Sequence, residues 1–192
     1  MVSETIITKI IEIPQEVQLT LDNKVVKVSG PKGEITRNFS HARSVEFSKD
    51  DNKITFIINN PRKKTKAIIS TIKSHIENMI KGVTSGPYVV KMKIVYAHFP
   101  ITVKVEEGKI FIENFLGERS PRVARIFGEN TTVEVEQDDV IVKSINIEEA
   151  GQTAANIQKV TKIKDKDPRT FQDGIFKYQK FLGDKLIWKL KF

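Results

Sequence analysis

The sequence, 192 residues long, contains no cysteine. Disulfides, thiolate catalysis and Cys-based zinc sites are therefore excluded together. It also lacks any unbroken apolar stretch long enough to span a bilayer. The Ile-rich start, Met1 to Glu12, carries Glu4, Lys9 and Glu12, and so has neither the apolar region nor the small-residue cleavage site of a signal peptide. Histidine is scarce: His41, His75 and His98 fall in different predicted elements, with no metal-ligand spacing. HExxH, GxSxG, Walker A and GxGxxG patterns are absent. Gly30-Pro31-Lys32-Gly33 invites a phosphate-loop reading, but it lies between predicted strands with no helix N-terminus behind it. The acid pairs Asp50-Asp51 and Asp138-Asp139 sit in predicted hairpin turns, where solvated carboxylates are routine. The expectation is a cytosolic protein that is not an enzyme and needs neither cofactor nor metal.

What is present is order. Apolar residues make up 39% of the chain and are spread along it, enough for folded domains. Val17, Leu19 and Leu21, then Val26 and Val28, alternate with period two and predict half-buried strands joined by a turn at Asp22-Asn23. Gly30 to Gly33 predicts a second turn. Val45 to Phe47 and Ile54 to Ile58 predict a further hairpin across Lys49 to Asn52. A helix follows, with Asn60 as cap, Pro61 at its first position, Gly82 as its stop, and a stripe of Ile68, Ile72, Ile76 and Met79 flanked by Ile69 and Ile80.

From Ile101 the series repeats. Ile101, Val103 and Val105 alternate, Glu107-Gly108 turns the chain, and Ile110 and Ile112 alternate again. Gly33 and Gly117 stand 84 positions apart in matching contexts. Val133 to Val135 and Val140 to Val142 repeat the later hairpin. Ile147, Ala150, Ala154, Ile157 and Val160 predict the second helix, weakened at Gly151. The second copy is read with an additional leading strand, Tyr88 to Ala97, in which Val90, Met92 and Ile94 alternate with Lys91 and Lys93. The fold class expected is α+β: two tandem copies of a small domain, each an antiparallel sheet covered by one helix. The divisions are 1–84 and 88–178, with 179–192 as a basic and aromatic tail.

The formal net charge of +8 points to a polyanionic partner, and its distribution says more than its size. Glu129 to Glu149 holds seven acids and one base, Lys143, whereas Lys159 to Phe192 holds ten bases and four acids. Arg119, Arg122 and Arg125 cluster after Leu116-Gly117-Glu118. Lys159, Lys162, Lys164, Lys166 and Arg169 follow the second helix. Lys177, Lys180, Lys185, Lys189 and Lys191 interleave with Phe171, Phe176, Tyr178, Phe181, Trp188 and Phe192, a mixture suited to phosphates and base stacking. The lysines are read as RNA contacts, while Phe171, Phe176 and Trp188 are read as packing on the domain's own core. His98, within Tyr96-Ala97-His98-Phe99-Pro100, is read as a structural or RNA-contact group in preference to a general base. Lys91 and Lys93 complete the candidate RNA-binding set.

Several segments resemble one family. They are Gly30 to Gly33, Ser74-His75-Ile76-Glu77-Asn78-Met79-Ile80-Lys81-Gly82-Val83-Thr84, Tyr96 to Ile101, Asn114-Phe115-Leu116-Gly117-Glu118, and the run from Lys164 through Arg169 and Phe171 to Asp173-Gly174-Ile175. Together they resemble the universal large-subunit ribosomal protein numbered six in bacteria and nine in eukaryotes, in its archaeal and eukaryotic branch. The resemblance covers roughly residues 5 to 178. It implies tandem α+β domains and a structural role on large-subunit ribosomal RNA, beside the sarcin–ricin loop and near the stalk base. The second domain would make the main contacts, with neighbouring ribosomal proteins as further partners and no membrane or self-association. A cytoplasmic ribosome is the implied location, with nucleolar assembly if the source is eukaryotic. The chain departs from the pattern at Pro121, which interrupts the arginine-rich stretch, at Phe176 in place of tyrosine, and at Lys159 in place of glutamine. Two rival readings are an extra-ribosomal RNA or DNA adaptor and a protein scaffold using the acidic Glu129–Glu149 surface.

Overall fold

Alternating apolar residues supply half-buried strands, and two helical stripes supply their cover. The computed structural model describes residues 6–50, 52–59, 61–167 and 169–191. The chain divides into two compact units, Met1–Gly86 and Pro87–Phe192.

In the first unit, β1 (Ile6–Glu12), β5 (Glu46–Asp50) and β6 (Lys53–Asn59) form one antiparallel sheet in the order β1-β6-β5. A second antiparallel sheet runs β2 (Gln18–Asp22), β3 (Val25–Gly30) and β4 (Gly33–Asn38). The first turn falls one residue later than the sequence suggests. Asp22 pairs with Val25, so Asn23 and Lys24 make the two-residue loop, both with positive φ (43° and 67°). A long-range contact supports this register: the Lys24 ammonium donates to the carbonyls of Ala42 and Arg43.

Helix α1 spans Lys63–Thr84 and buries Ile69, Ile72, Ile76, Met79, Ile80 and Val83, while Ile68 is only half-buried. Its start is Arg62, so Pro61 lies before the helix and not at its first position. Asn60, the expected cap, is outside the described residues, as are Asp51 and Phe192. Nor does Gly82 stop the helix. It is buried within the last turn, and the chain breaks away only at Gly86, whose φ is +115°. The Pro31-Lys32 turn docks on this end. Lys32 N–H donates to the Val83 carbonyl at 3.0 Å, and a Cβ on Gly30 would meet Val83 Cγ2 at 2.9 Å.

The second unit repeats the plan. Here β7 (Tyr88–Val95), β11 (Thr131–Glu136) and β12 (Asp139–Ser144) correspond to β1, β5 and β6. The leading strand is thus shared by both units, because β1 is the counterpart of β7. Sheet β10-β9-β8 comprises β8 (Thr102–Glu106), β9 (Lys109–Glu113) and β10 (Arg122–Arg125). The larger sheet gains β13 (Gly174–Leu182) and β14 (Lys185–Lys189), giving the antiparallel order β11-β12-β7-β13-β14. Most of residues 179–192 therefore lie in a hairpin continuous with this sheet. The fold class is α+β in both units, with the strands of each divided between two antiparallel sheets.

Helix α2 spans Ile147–Val160 and buries Ala150, Thr153, Ala154 and Ile157 against Val90, Met92, Val140 and Val142. Asn146 caps it, its side-chain oxygen accepting the Glu148 N–H at 3.0 Å. Gly151 faces open space, with nothing within 4 Å of a Cβ placed there. Gly151→Ala is therefore expected to stabilise the protein by about 0.5–1 kcal/mol, since helix propensity rises and no clash offsets it. A thermal melt should show the midpoint rising by a few degrees.

Candidate nucleic-acid interface

The tight turn of the first unit is expanded in the second. Asn114 and Leu116 take left-handed φ (58° and 52°), and Phe115–Gly117 forms a short 3₁₀ turn. The loop Glu118 to Pro121 then delays β10 until Arg122, which pairs with Ile112. Arg122 and Arg125 stand at the two ends of β10, and β10 packs beside α2. This packing creates a groove of about 860 Å³ into which Arg122, Arg125, Lys159, Lys162 and Lys164 all project. Two basic clusters separated in sequence thus share one wall-to-wall surface.

The cations of the groove do different work. Arg125, Lys159, Lys162 and Lys164 are exposed, and their side chains make no hydrogen bond or ion pair with any described residue. Arg122 is half-buried and fully engaged. Its Nε and Nη2 grip both carboxylate oxygens of Glu118 at 2.8 and 2.6 Å, and its Nη1 donates to the Val160 carbonyl at 2.6 Å. The guanidinium also lies 4.2 Å from the Phe115 ring centroid. It caps the negative end of α2 while tying it to the 3₁₀ loop. The Arg122 hydrogen bond holds the Glu118 carboxyl below its ordinary range. Asn156, which sequence reasoning passed over, lines the same groove and donates to the Arg125 carbonyl at 2.9 Å. Only its place on α2 could have marked it.

The remaining candidates are dispersed. Arg119 is exposed in the loop before β10, and His98 is exposed in the β7–β8 connection, making no side-chain hydrogen bond to a described residue. Lys166 lies over the Phe171 ring at 4.7 Å, and Arg169 pairs with Asp167 at 3.3 Å. Lys177 and Lys180 pair across β7 with Met92 and Val90, so they project on the α2 side of the sheet. Lys91 and Lys93 project from the opposite face. Lys91 covers Phe181, and Lys93 faces Asp139 at 3.4 Å and Asp138 at 3.9 Å. Tyr178 donates to the other oxygen of Asp139 at 3.1 Å, and burial together with this partner raises the Tyr178 phenol above its ordinary pKa.

The aromatic expectation is corrected. Phe171, Phe176 and Trp188 are 37%, 44% and 38% exposed, so they do not form core. Phe176 pairs across β7 with Lys93 and so projects from the sheet face away from α2, and it folds over Gly174, whose missing Cβ leaves room for the ring at 2.7 Å.

The family model for ribosomal protein L6 matches residues 13–86 and 99–174, one segment in each unit. A protein of Staphylothermus marinus is 51% identical over 170 residues, covering 88% of this chain and 91% of the relative. One of Methanosphaera stadtmanae is also 51% identical over 170 residues, and one of Methanobrevibacter smithii is 48% identical over 176 residues, covering 92% of this chain and 97% of the relative. All three bear the name large ribosomal subunit protein uL6. Two matched segments coinciding with two repeated units, and near half identity over most of the length, place the chain in the ribosomal protein L6 family, whose members are structural proteins and not enzymes.

Proposed function

We propose that the chain is a structural constituent of the large ribosomal subunit in the cytoplasm, and that its second unit holds large-subunit ribosomal RNA beside the sarcin–ricin loop and the stalk base. The observation carrying this reading is the groove between β10 and α2, where four exposed cations converge without a partner among the described residues. Unpaired cations on a rigid concave surface suit the phosphates of a folded RNA, which is recognised chiefly by shape and backbone. Arg119, His98, Lys166, Arg169, Lys177 and Lys180, dispersed outside the groove, would add further contacts to the same RNA. Arg122 orders it from within, and Lys91 and Lys93, on the other sheet face, stand apart from it. Neighbouring ribosomal proteins would meet the surfaces left over. The relatives compared are archaeal, so a nucleolar step is not part of this reading.

The scaffold alternative loses much of its basis in the acidic run. Glu134 pairs with Lys143 at 2.6 Å, Asp138 and Asp139 face Lys93, and Glu149 is held by Ser144 and Asn146. Of the seven acids, Glu129 and Glu136 stay exposed without a partner among the described residues, a smaller acidic surface than the sequence suggests.

The test is sedimentation with large subunits at increasing salt. Changing Arg125, Lys159 and Lys164 to glutamate should weaken association roughly tenfold or more and flatten its salt dependence. The same change at Lys49, Lys63 and Lys64, exposed in the first unit, should have little effect. Equal losses would move the RNA face elsewhere, and a wild-type chain that sediments free would overturn the ribosomal role.

A further inference from the structure

A second cavity lies on the other side of the α2 C-terminus, and its chemistry differs from that of the groove. It measures about 680 Å³, room for one nucleotide. The walls are apolar: Val95 from β7, Phe171 from the loop after α2, and Phe176 from β13, each more than a third exposed. Asp173 lines the same cavity. Its residue is only 5% exposed, yet its carboxylate makes no hydrogen bond with any described residue. The carboxylate oxygens are open to the cavity and have no internal donor among the described residues, so both are free to accept from a bound group. The rim is cationic. Lys162 lines the mouth, and Lys166 sits over Phe171.

We infer that this cavity takes a single unpaired guanine of the bound RNA, with Asp173 accepting its N1–H and N2–H and the Phe171 and Phe176 rings providing its apolar walls. The assignment follows from donor patterns. A carboxylate offers two acceptors side by side. On its Watson–Crick edge guanine presents two adjacent donors. Adenine and cytosine place a ring-nitrogen acceptor beside their one amino group, and uracil flanks its single N–H with carbonyls. Only guanine meets the carboxylate without setting acceptor against acceptor. Aromatic rings stack on any base, so they contribute affinity but not choice. A guanidinium would also satisfy a carboxylate, but Lys162 and Lys166 at the rim repel a cation and attract the phosphates flanking a base. The inference rests on the RNA-binding reading above and adds one base-specific contact to a surface that otherwise reads shape.

The experiment uses the full chain and three labelled heptamers: seven adenosines, the same with guanosine at the centre, and the same with inosine, which lacks the N2 amine. Anisotropy titrations should show the guanosine heptamer bound at least tenfold more tightly than the adenosine one, with most of that advantage lost for inosine. Asp173→Asn should abolish the preference by weakening the guanosine heptamer, while the adenosine heptamer, which an amide donor and acceptor can meet, should bind no more weakly than to wild type. Because inosine alters the RNA and not the protein, the test holds even if the variant folds poorly. Equal affinities for the three heptamers, no binding of any, or a preference retained in Asp173→Asn would overturn the inference. So would Asp173-dependent binding of methylguanidinium without guanine preference, which would assign the cavity to an arginine of a protein partner. Sedimentation with large subunits separates the two readings. A chain that joins subunits without guanine preference sinks the cavity assignment alone, whereas one that prefers guanine but sediments free sinks the ribosomal role alone.

Discussion

Gly128→Ala is expected to destabilise the protein by about 3 kcal/mol, a large effect for the addition of one methyl group. Gly128 follows β10 and has φ +87°, a conformation that costs an L-residue roughly 1–2 kcal/mol. An added Cβ would also fall on the Glu149 carboxyl group. That carboxyl cannot step aside freely. Ser144 Oγ donates to it at 3.1 Å, Thr131 Oγ1 lies at 3.4 Å, and Asn146 Nδ2, on the capping residue of α2, donates at 3.3 Å. Ser144 is 2% exposed, so displacing Glu149 strands a buried hydroxyl at a cost of about 1–3 kcal/mol. Gly108→Ala provides the control. Its φ is +73°, but nothing lies within 4 Å of the new Cβ, so only the backbone cost of about 1 kcal/mol applies. Urea unfolding should show a lower midpoint for Gly128→Ala with an unchanged slope. If both variants lose the same stability, Glu149 is more mobile than its partners imply.

The repeat was legible in the sequence because alternation and helical spacing are local signals. Errors arose where a distant contact decides. Asn23-Lys24, and not Asp22-Asn23, forms the first turn, and the deciding contact is from Lys24 to carbonyls near residue 42. Strand β1 went unread because its isoleucines occupy both faces: Ile11 is buried, while Ile6 and Ile10 are exposed. Gly82 looked like a terminator, yet a buried glycine inside a helix and one that ends it carry the same letter.

The candidate site shows the same division. The basic clusters at 119–125 and 159–169 were visible as composition. Their meeting in one groove depends on β10 packing beside α2, which no periodicity reports. Phe171, Phe176 and Trp188 were misjudged for a related reason. An apolar letter predicts burial only where another element supplies cover: Phe171 lies in the loop before β13, Phe176 on the sheet face away from α2, and Trp188 on the edge strand β14.

Arg122→Ala should cost about 2–3 kcal/mol, far more than Arg125→Ala, although both are groove arginines. An exposed ion pair alone contributes at most about 1 kcal/mol. Arg122 adds a hydrogen bond to the Val160 carbonyl at the end of α2 and contact with the buried Phe115 ring. Arg122→Lys should recover little, because an ammonium cannot grip both Glu118 oxygens while donating to Val160. The pH dependence gives an independent signature. Glu118 is held below its ordinary value of 4.5 mainly by the Arg122 hydrogen bond. A depressed carboxyl stabilises the fold above its unfolded pKa, and the contribution fades as pH falls through the folded one. Wild type should therefore lose stability on acidification below about pH 4.5 more steeply than Arg122→Ala, in which Glu118 has no such partner to lose. Chemical unfolding at pH 6 and pH 3.5 measures both effects. Parallel losses in the two proteins would show that Arg122 does not set the Glu118 titration. The variant should also bind RNA more weakly, even though its own guanidinium is already engaged, because Lys159, Lys162 and Lys164 keep their positions only while the end of α2 is tied to the β10 loop.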